Sequence, residues 1–390
     1  MEKKTQTKDT KKKGNLKDLF NEIESEKKKK SKKNNKSKIT EKKDQKIFND
    51  VNSSSDFKGL KNFGNSCYSN VIIQVLMSIP EFIDNINKRY TLVENEDGLY
   101  DDYPILSRII DIISNYKKKN TSLASKYLKE IVNKFDSSGS QNDAHEFLVF
   151  ILDQLNMELM KIEEKYKIDN HNELVDLEKN NNIEEGEWEE VKKDGKTMKQ
   201  TNSLKSFKTS ILGEVFQGTI KQDIIKKGTS TSNCQIEPFF TLHLDNDEPT
   251  IENMFDKFFK KKYIEGSGDK NIQTFMEKCP NIFIVNAKGF YYDKNRQTIV
   301  KIKNDLIFQE ELIIKKDYIS PCLKEKNIIY ELIGIVVHKG NLATEGHYIC
   351  YCKNIKDKTW SYLDDYKVIK VSEDCIHKLR PYLFFYRKNI

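Results

Sequence analysis

Residues 59–70, Gly-Leu-Lys-Asn-Phe-Gly-Asn-Ser-Cys-Tyr-Ser-Asn, deliver a cysteine to the start of an amphipathic helix. Apolar residues recur at Tyr68, Val71, Ile72, Val75, Leu76 and Ile79, the i, i+3, i+4, i+7 spacing of one helix face, and Pro80 ends the pattern. The spacing predicts that Cys67 lies in the first turn. Unpaired amides and the positive end of the helix dipole favour a thiolate over a thiol there, which is one way a cysteine becomes nucleophilic near neutral pH. Free cysteines are more often buried structural residues, so a catalytic role for Cys67 depends on a base.

A base is offered by Gly346-His347-Tyr348-Ile349-Cys350-Tyr351-Cys352, followed by Thr359-Trp360-Ser361-Tyr362-Leu363-Asp364-Asp365. Both runs have strand composition, and the polar, turn-prone segment from Lys353 to Lys358 predicts a β-hairpin between them. Pairing Cys352 with Thr359 sets His347 directly opposite Asp364, ~5 Å apart at Cβ, near enough for a carboxylate to hold an imidazole in one tautomer. A one-residue slip would turn His347 away, which keeps Asp365 as the alternative acid. Cys67, His347 and Asp364 would then form the nucleophile, base and orienting acid of a cysteine protease.

These boxes resemble those of the ubiquitin-specific proteases, the papain-like deubiquitinating family. Within it the chain is most similar to the ubiquitin carboxyl-terminal hydrolase 10 subfamily, through Glu187-Trp188-Glu189-Glu190-Val191, the run from Pro238 to Asp245, and the run from Val337 to Tyr348. The match covers roughly residues 56 to 390 and is strongest in the two catalytic boxes. The resemblance implies a papain-like α+β fold, with a helical thumb over about 56–162 followed by β fingers and a β palm. It makes Cys67 the nucleophile, His347 the general base and then acid, and Asp364 the residue that orients His347. Asn62, five residues before the cysteine, falls where the family places its oxyanion donor. The implied partners are ubiquitin and ubiquitinated proteins, with the ubiquitin tail between the lobes, Tyr348 beside it, and Gly340 and Gly346 permitting close backbone approach.

Ser140-Gln141-Asn142-Asp143-Ala144-His145-Glu146-Phe147-Leu148 opens a second amphipathic helix, with apolar positions at Ala144, Phe147, Leu148, Ile151, Leu152 and Leu155. Ser140 is the expected N-cap. Taken alone, Asp143 and Glu146 are explained by the helix dipole; the resemblance implies instead that they face the arginine-bearing tail of ubiquitin. His145 reads as a surface or boundary residue.

The chain's 390 residues, 33% charged and 37% hydrophobic, have the balance of a globular protein. No apolar run approaches the ~18 residues needed to span a bilayer, and no apolar stretch follows the lysine-rich start, so neither membrane insertion nor conventional secretion is expected. Seven cysteines without regular spacing suit reduced thiols in the cytoplasm, and also in the nucleus. Residues 1–50 hold 18 lysines against 9 acids, and the other 340 residues carry 49 cations against 51 anions. The basicity therefore belongs to residues 1–55, read as a disordered tail that can attract RNA, acidic partners or import receptors, or simply stay solvated.

A polar stretch from Glu163 to Lys205 reads as an insertion loop. Beyond it lie the expected fingers and palm, about 206–390: Leu212 to Ile220 and Phe239 to Leu244 read as strands, Ile251 to Phe259 as a short helix, and strands then dominate to the C-terminus. Two departures from the family pattern stand out. Many members bind a structural zinc in the fingers through two Cys-x-x-Cys pairs, but only Cys234 occurs in that region, so no metal or other cofactor is expected. His243 reads as packing within a hydrophobic strand. Ala287-Lys288-Gly289-Phe290 replaces the usual Leu-Lys-Arg-Phe, leaving Phe290 to line the ubiquitin-facing surface. The leading expectation is an active deubiquitinase; the alternatives are a catalytically silent ubiquitin-binding scaffold and another papain-like thiol protease.

Overall fold

Apolar residues at helical spacing dominate the first part of the chain, and strand-forming runs dominate the remainder. The computed structural model describes residues 56–168, 191–193, 196–198, 208–226, 232–264, 270–293, 297–302, 305–323, 326–340 and 346–389. The lysine-rich segment and most of the polar insertion lie outside the described residues.

The helical part comprises α1 (Cys67–Leu76), α2 (Pro80–Tyr90), α3 (Leu99–Asp102), α4 (Pro104–Lys117), α5 (Thr121–Phe135) and α6 (Ala144–Lys165). Pro80 and Pro104 open their helices at the first position, where the absent N–H has no intrahelical partner to lose. Next come β1 (Val191–Lys193), β2 (Lys196–Met198), α7 (Ile211–Phe216), β3 (Gly218–Lys226), β4 (Ser232–Phe239), β5 (Thr241–Asp245), α8 (Ile251–Phe259), β6 (Lys262–Ile264), β7 (Lys270–Lys278) and β8 (Ile282–Lys288). The chain continues through β9 (Phe290–Asp293), β10 (Thr298–Lys301), β11 (Glu311–Ile314), β12 (Ile328–Lys339), β13 (His347–Lys353), β14 (Trp360–Asp364), β15 (Lys367–Val371) and β16 (Leu383–Lys388).

Strands β4-β3-β7-β6 form an antiparallel four-stranded sheet. A larger eight-stranded sheet runs β15-β14-β13-β12-β16-β8-β5, with β11 also on β12; only the β5–β8 pairing is parallel.

All of α1 is buried, which is where a helix apolar around most of its circumference must go. It packs against β12, β13 and β14 on one side and α5 and α6 on the other. Gly334 permits this approach, since a Cβ there would meet Val75 Cγ1 at 3.0 Å and Phe385 Cβ at 3.4 Å. Val71, Ile72, Val75 and Leu76 are fully buried, and each contributes ~1.5–3 kcal/mol relative to exposure. Cys67 is thereby mounted on the core rather than on a loop.

Three sequence expectations need correction. The strand expected from Leu212 is instead α7 followed by β3: Ser210 caps the helix by accepting from Leu212 N at 3.2 Å, and Leu212, Val215 and Phe216 bury one helical face. The insertion does not start at Glu163. That residue lies within α6, 4% exposed, accepting from Arg89 Nε at 2.7 Å and Ile211 N at 3.0 Å, and a buried charge needs such partners. Ser140 is not the N-cap of α6; Asp143 is, accepting from His145 N at 2.7 Å and Glu146 N at 3.2 Å. By contrast α8 spans the expected helix, with Ile251, Met254, Phe255 and Phe259 buried as expected and Phe258, also expected inward, only half-buried.

Candidate active site

Cys67 is the first residue of α1 and is 3% exposed. Ser66 occupies the N-cap, but its side chain does not cap the helix. Its hydroxyl and amide donate to Asn62 Oδ1 at 3.0 and 3.2 Å, and its Oγ accepts from Phe63 N at 3.1 Å. The Cys67 amide is thus a first-turn donor with no acceptor among the described residues. Beside it, Asn62 is held at both ends of its amide: Oδ1 by Ser66, and Nδ2 by donation to Asp365 Oδ2 at 3.0 Å. An amide nitrogen has two hydrogens, so one remains for an oxyanion.

His347 starts β13, and its Nε2 lies 2.6 Å from Asp364 Oδ1. Asp364 Oδ2 accepts from the Tyr362 hydroxyl at 2.6 Å. The hydrogen bond to Asp364 and a second to Cys67 push the His347 imidazole up to about 10, against the opposing effect of burial. Hydrogen bonding to His347 in turn lowers the Asp364 carboxyl. With Nε2 committed to the carboxylate, Nδ1 is the nitrogen left to serve the thiol.

The hairpin register differs from the sequence count. Cys352 pairs with Ser361 and Cys350 with Leu363, not Cys352 with Thr359. The connection from Asn354 to Thr359 is as long as expected but lies one residue further along, with Asn354 N donating to Thr359 O at 2.8 Å. This moves the register by two and preserves the faces. His347 and Asp364 become diagonal neighbours, a separation that an imidazole and a carboxylate can span.

Asp365 does not substitute for Asp364. It adopts φ +51° in the turn between β14 and β15, a region Asp tolerates, and its other carboxylate oxygen accepts from Asn70 Nδ2 at 2.8 Å. Its carbonyl accepts from Leu60 N and Gln74 Nε2, both at 2.9 Å. One residue therefore ties the Leu60–Asn62 segment, α1 and the histidine hairpin together. Gln141 makes another such link: its Nε2 donates to Gly346 O at 2.7 Å and its Oε1 accepts from Gly346 N at 3.3 Å, fixing the backbone next to His347. Gly346 has no room for a side chain, because a Cβ would fall 2.2 Å from His338 Nε2. Sequence reading missed the roles of Tyr362, Gln141, Asn70 and Gln74. Only Tyr362, two residues before Asp364 on the same strand face, left a local signal.

The remaining site residues are placed as follows. Besides capping α6, Asp143 accepts from Tyr382 at 2.7 Å and Tyr348 at 3.2 Å, so its oxygens already serve four donors. Tyr348 is 1% exposed; burial, then the Asp143 charge, push its hydroxyl upward. It supports the rim from within rather than offering a surface. Glu146 is exposed; its amide donates to Asp143, while its carboxylate has no hydrogen-bond or ion-pair partner among the described residues. Phe290 begins β9, and its side chain lies outside the described atoms. His145 is half-buried, its Nε2 2.7 Å from Thr241 Oγ1 and its ring edge-on to His243 at 4.7 Å. His243, read as packing within a hydrophobic strand, sits on the exposed side of β5. Cys350 and Cys352 are buried free thiols facing Gln74 of α1.

The model of the ubiquitin carboxyl-terminal hydrolase family matches residues 58–386. Ubiquitin carboxyl-terminal hydrolase 10 of Rattus norvegicus is 26% identical over 389 aligned positions, covering 85% of this chain and 48% of the relative. Ubiquitin carboxyl-terminal hydrolase 8 of Saccharomyces cerevisiae is 28% identical, covering 84% and 70%. The chain thus spans about half the length of the first of these relatives. Among solved structures, a chain of the SAGA Ubp8/Sgf11/Sus1/Sgf73 DUB module bound to ubiquitin aldehyde superposes with a TM-score of 0.65 at 27% identity, over 86% of this chain and 70% of that one. The family match runs across the helical layer, both large sheets and the two halves of the candidate site, so the chain belongs to the ubiquitin carboxyl-terminal hydrolase family and has its papain-like α+β fold.

Proposed function

We propose that the chain is a thiol-dependent deubiquitinase that hydrolyses isopeptide or peptide bonds at the C-terminal glycine of ubiquitin. The observation that carries this reading is His347, held by Asp364 Oδ1 at 2.6 Å and raised by Asp364 and by Cys67, which begins a buried helix. Support for ubiquitin as partner comes from the family match and from a similar module bound to monoubiquitin.

The chemistry follows from the geometry. Sulfur attacks the glycine carbonyl as its proton passes to His347, and forms a tetrahedral intermediate. Its oxyanion is stabilised by the Cys67 amide and the free hydrogen of Asn62 Nδ2. Collapse breaks the C–N bond, His347 protonates the departing amine, and a thioester to Cys67 remains. Water then gives a proton to His347 and its hydroxide to the thioester, releasing the ubiquitin carboxylate and regenerating the pair. Asp364 keeps the ring in place throughout. No step calls for a metal or cofactor. Glu146 supplies an exposed carboxylate for a basic tail, while Asp143 builds the wall beside it. Action in the cytoplasm and nucleus, and a charged partner for the lysine-rich segment, rest on composition alone.

Cys67→Ala should abolish hydrolysis of a ubiquitin bearing a C-terminal fluorogenic group while ubiquitin binding stays measurable. Full residual turnover would remove Cys67 as nucleophile; an inactive wild type that binds ubiquitin would favour the silent-scaffold alternative.

A further inference from the structure

Tyr366 is 82% exposed, far more than any other exposed large hydrophobic residue among the described residues. A single exposed aromatic is ordinary on a protein surface, and what distinguishes Tyr366 is its place. It occupies the tight turn between β14 and β15, two residues after the acid that orients His347 and one after the acid that holds Asn62. The backbone of that turn is fixed: the Asp365 carbonyl is bonded to Leu60 and Gln74, and the turn lies so close to Gly59 that a Cβ there would fall 2.1 Å from the Tyr366 carbonyl oxygen. A rigid backbone thus presents a bare ring at the edge of the catalytic residues.

The two sides of His347 are chemically different. On one, Gly346 is clamped by Gln141, next to the Asp143–Tyr348–Tyr382 wall. On the other, Asp364 leads into the turn that carries Tyr366. A general acid has to stand beside the atom it protonates, so the amine that leaves must be near His347. If the acyl chain of the substrate lies along the Gln141 side, the leaving chain exits over the Asp364–Tyr366 side. Resting on the deubiquitinase reading above, we propose that Tyr366 is a binding residue for the leaving side, stacking on the aliphatic stem and flanking backbone of the acceptor segment whose lysine carries ubiquitin. The ring gives a flat, sequence-tolerant surface, suited to modified lysines in many contexts.

The test compares two conjugates: ubiquitin joined by an isopeptide bond to free lysine, and ubiquitin joined to a lysine within a ten-residue peptide. Tyr366→Ala should lower kcat/KM for the peptide conjugate by roughly fivefold or more, mainly through KM, and leave the free-lysine conjugate within about twofold of wild type. Tyr366→Phe should behave as wild type on both. Equal losses on the two conjugates would mean that Tyr366 acts only by holding the turn, and unchanged kinetics on both would mean that it touches no substrate; either result overturns the proposal while leaving the hydrolase reading intact. Failure of the wild type to cleave either conjugate would overturn that reading and this proposal with it.

Discussion

Asn62 Nδ2 donates to Asp365 Oδ2 at 3.0 Å, so the proposed oxyanion donor is held by the residue next to Asp364, the proposed orienting acid of His347. On that proposal, two catalytic functions are set by adjacent residues of one β-turn. Asn62→Ala should lower kcat by about 100-fold or more, the loss seen when one oxyanion donor is removed. Asp365→Ala should cost less than Asp364→Ala, and most of its effect should vanish once Asn62 is already alanine, giving a coupling of ~1 kcal/mol or more in a double-mutant cycle. Additive losses would show that Asp365 acts on something other than Asn62.

The pH profile tests the pairing of His347. Its imidazole is pushed up to about 10, first by Asp364 and then by Cys67, against ~6.5 for an unperturbed histidine. The folded value exceeds the unfolded one, so the pair's contribution to stability is full below ~6.5 and is lost as pH rises through the folded value. Activity should persist well into the alkaline range. In Asp364→Asn the alkaline limb of kcat/KM should move down toward ~6.5. An unmoved limb would detach Asp364 from His347.

Acid stability should depend on two other histidines. His145 and His338 are both lowered to about 4, chiefly by burial, with His243 adding to it for His145 and Lys301 for His338. Both stay neutral in the folded state while the unfolded chain takes up protons below ~6.5, so stability falls as pH drops from there toward the folded values. His347 does not offset this, since it is charged in both states across that window. A loss of ~1–3 kcal/mol between pH ~6.5 and ~4.5 is expected. His145→Gln should flatten the dependence of Tm on pH; an unchanged slope would exclude His145 as a source.

Asp143 and Glu146 should separate into two roles. Asp143→Ala removes an N-cap and leaves two tyrosine hydroxyls without their acceptor, which should cost ~2 kcal/mol or more in denaturant unfolding. Glu146→Gln should leave stability within ~0.5 kcal/mol, and should raise KM for ubiquitin substrates by about tenfold if it meets the basic tail. Wild-type KM in a folded Glu146→Gln enzyme would remove it from substrate binding.

What the sequence made legible was whatever is local. The helix behind Ala144 follows from apolar spacing because burial of one face is written every three to four residues; the same spacing revealed the helix behind Cys67, but not that its polar face, Ser69, Asn70 and Gln74, is buried as well. The same logic mistook α7 for a strand, since six residues are too few to distinguish the two periods. Ser140 and Asp143 both suit an N-cap, and only the chain path chose between them. The hairpin faces were legible because a shift of two preserves them, whereas the register was not, because the turn could close one residue further on. The links made by Asp365 and Gln141 were illegible for a different reason: each joins residues more than 200 apart in sequence.

The most direct measurement is the mass and site of the adduct formed when the purified chain meets ubiquitin carrying a thiol-reactive group at its C-terminus. The account predicts one ubiquitin per chain, attached at Cys67, with no adduct in Cys67→Ala and none on buried Cys350 or Cys352. Attachment at a different cysteine, or none at all from a folded protein, would contradict it.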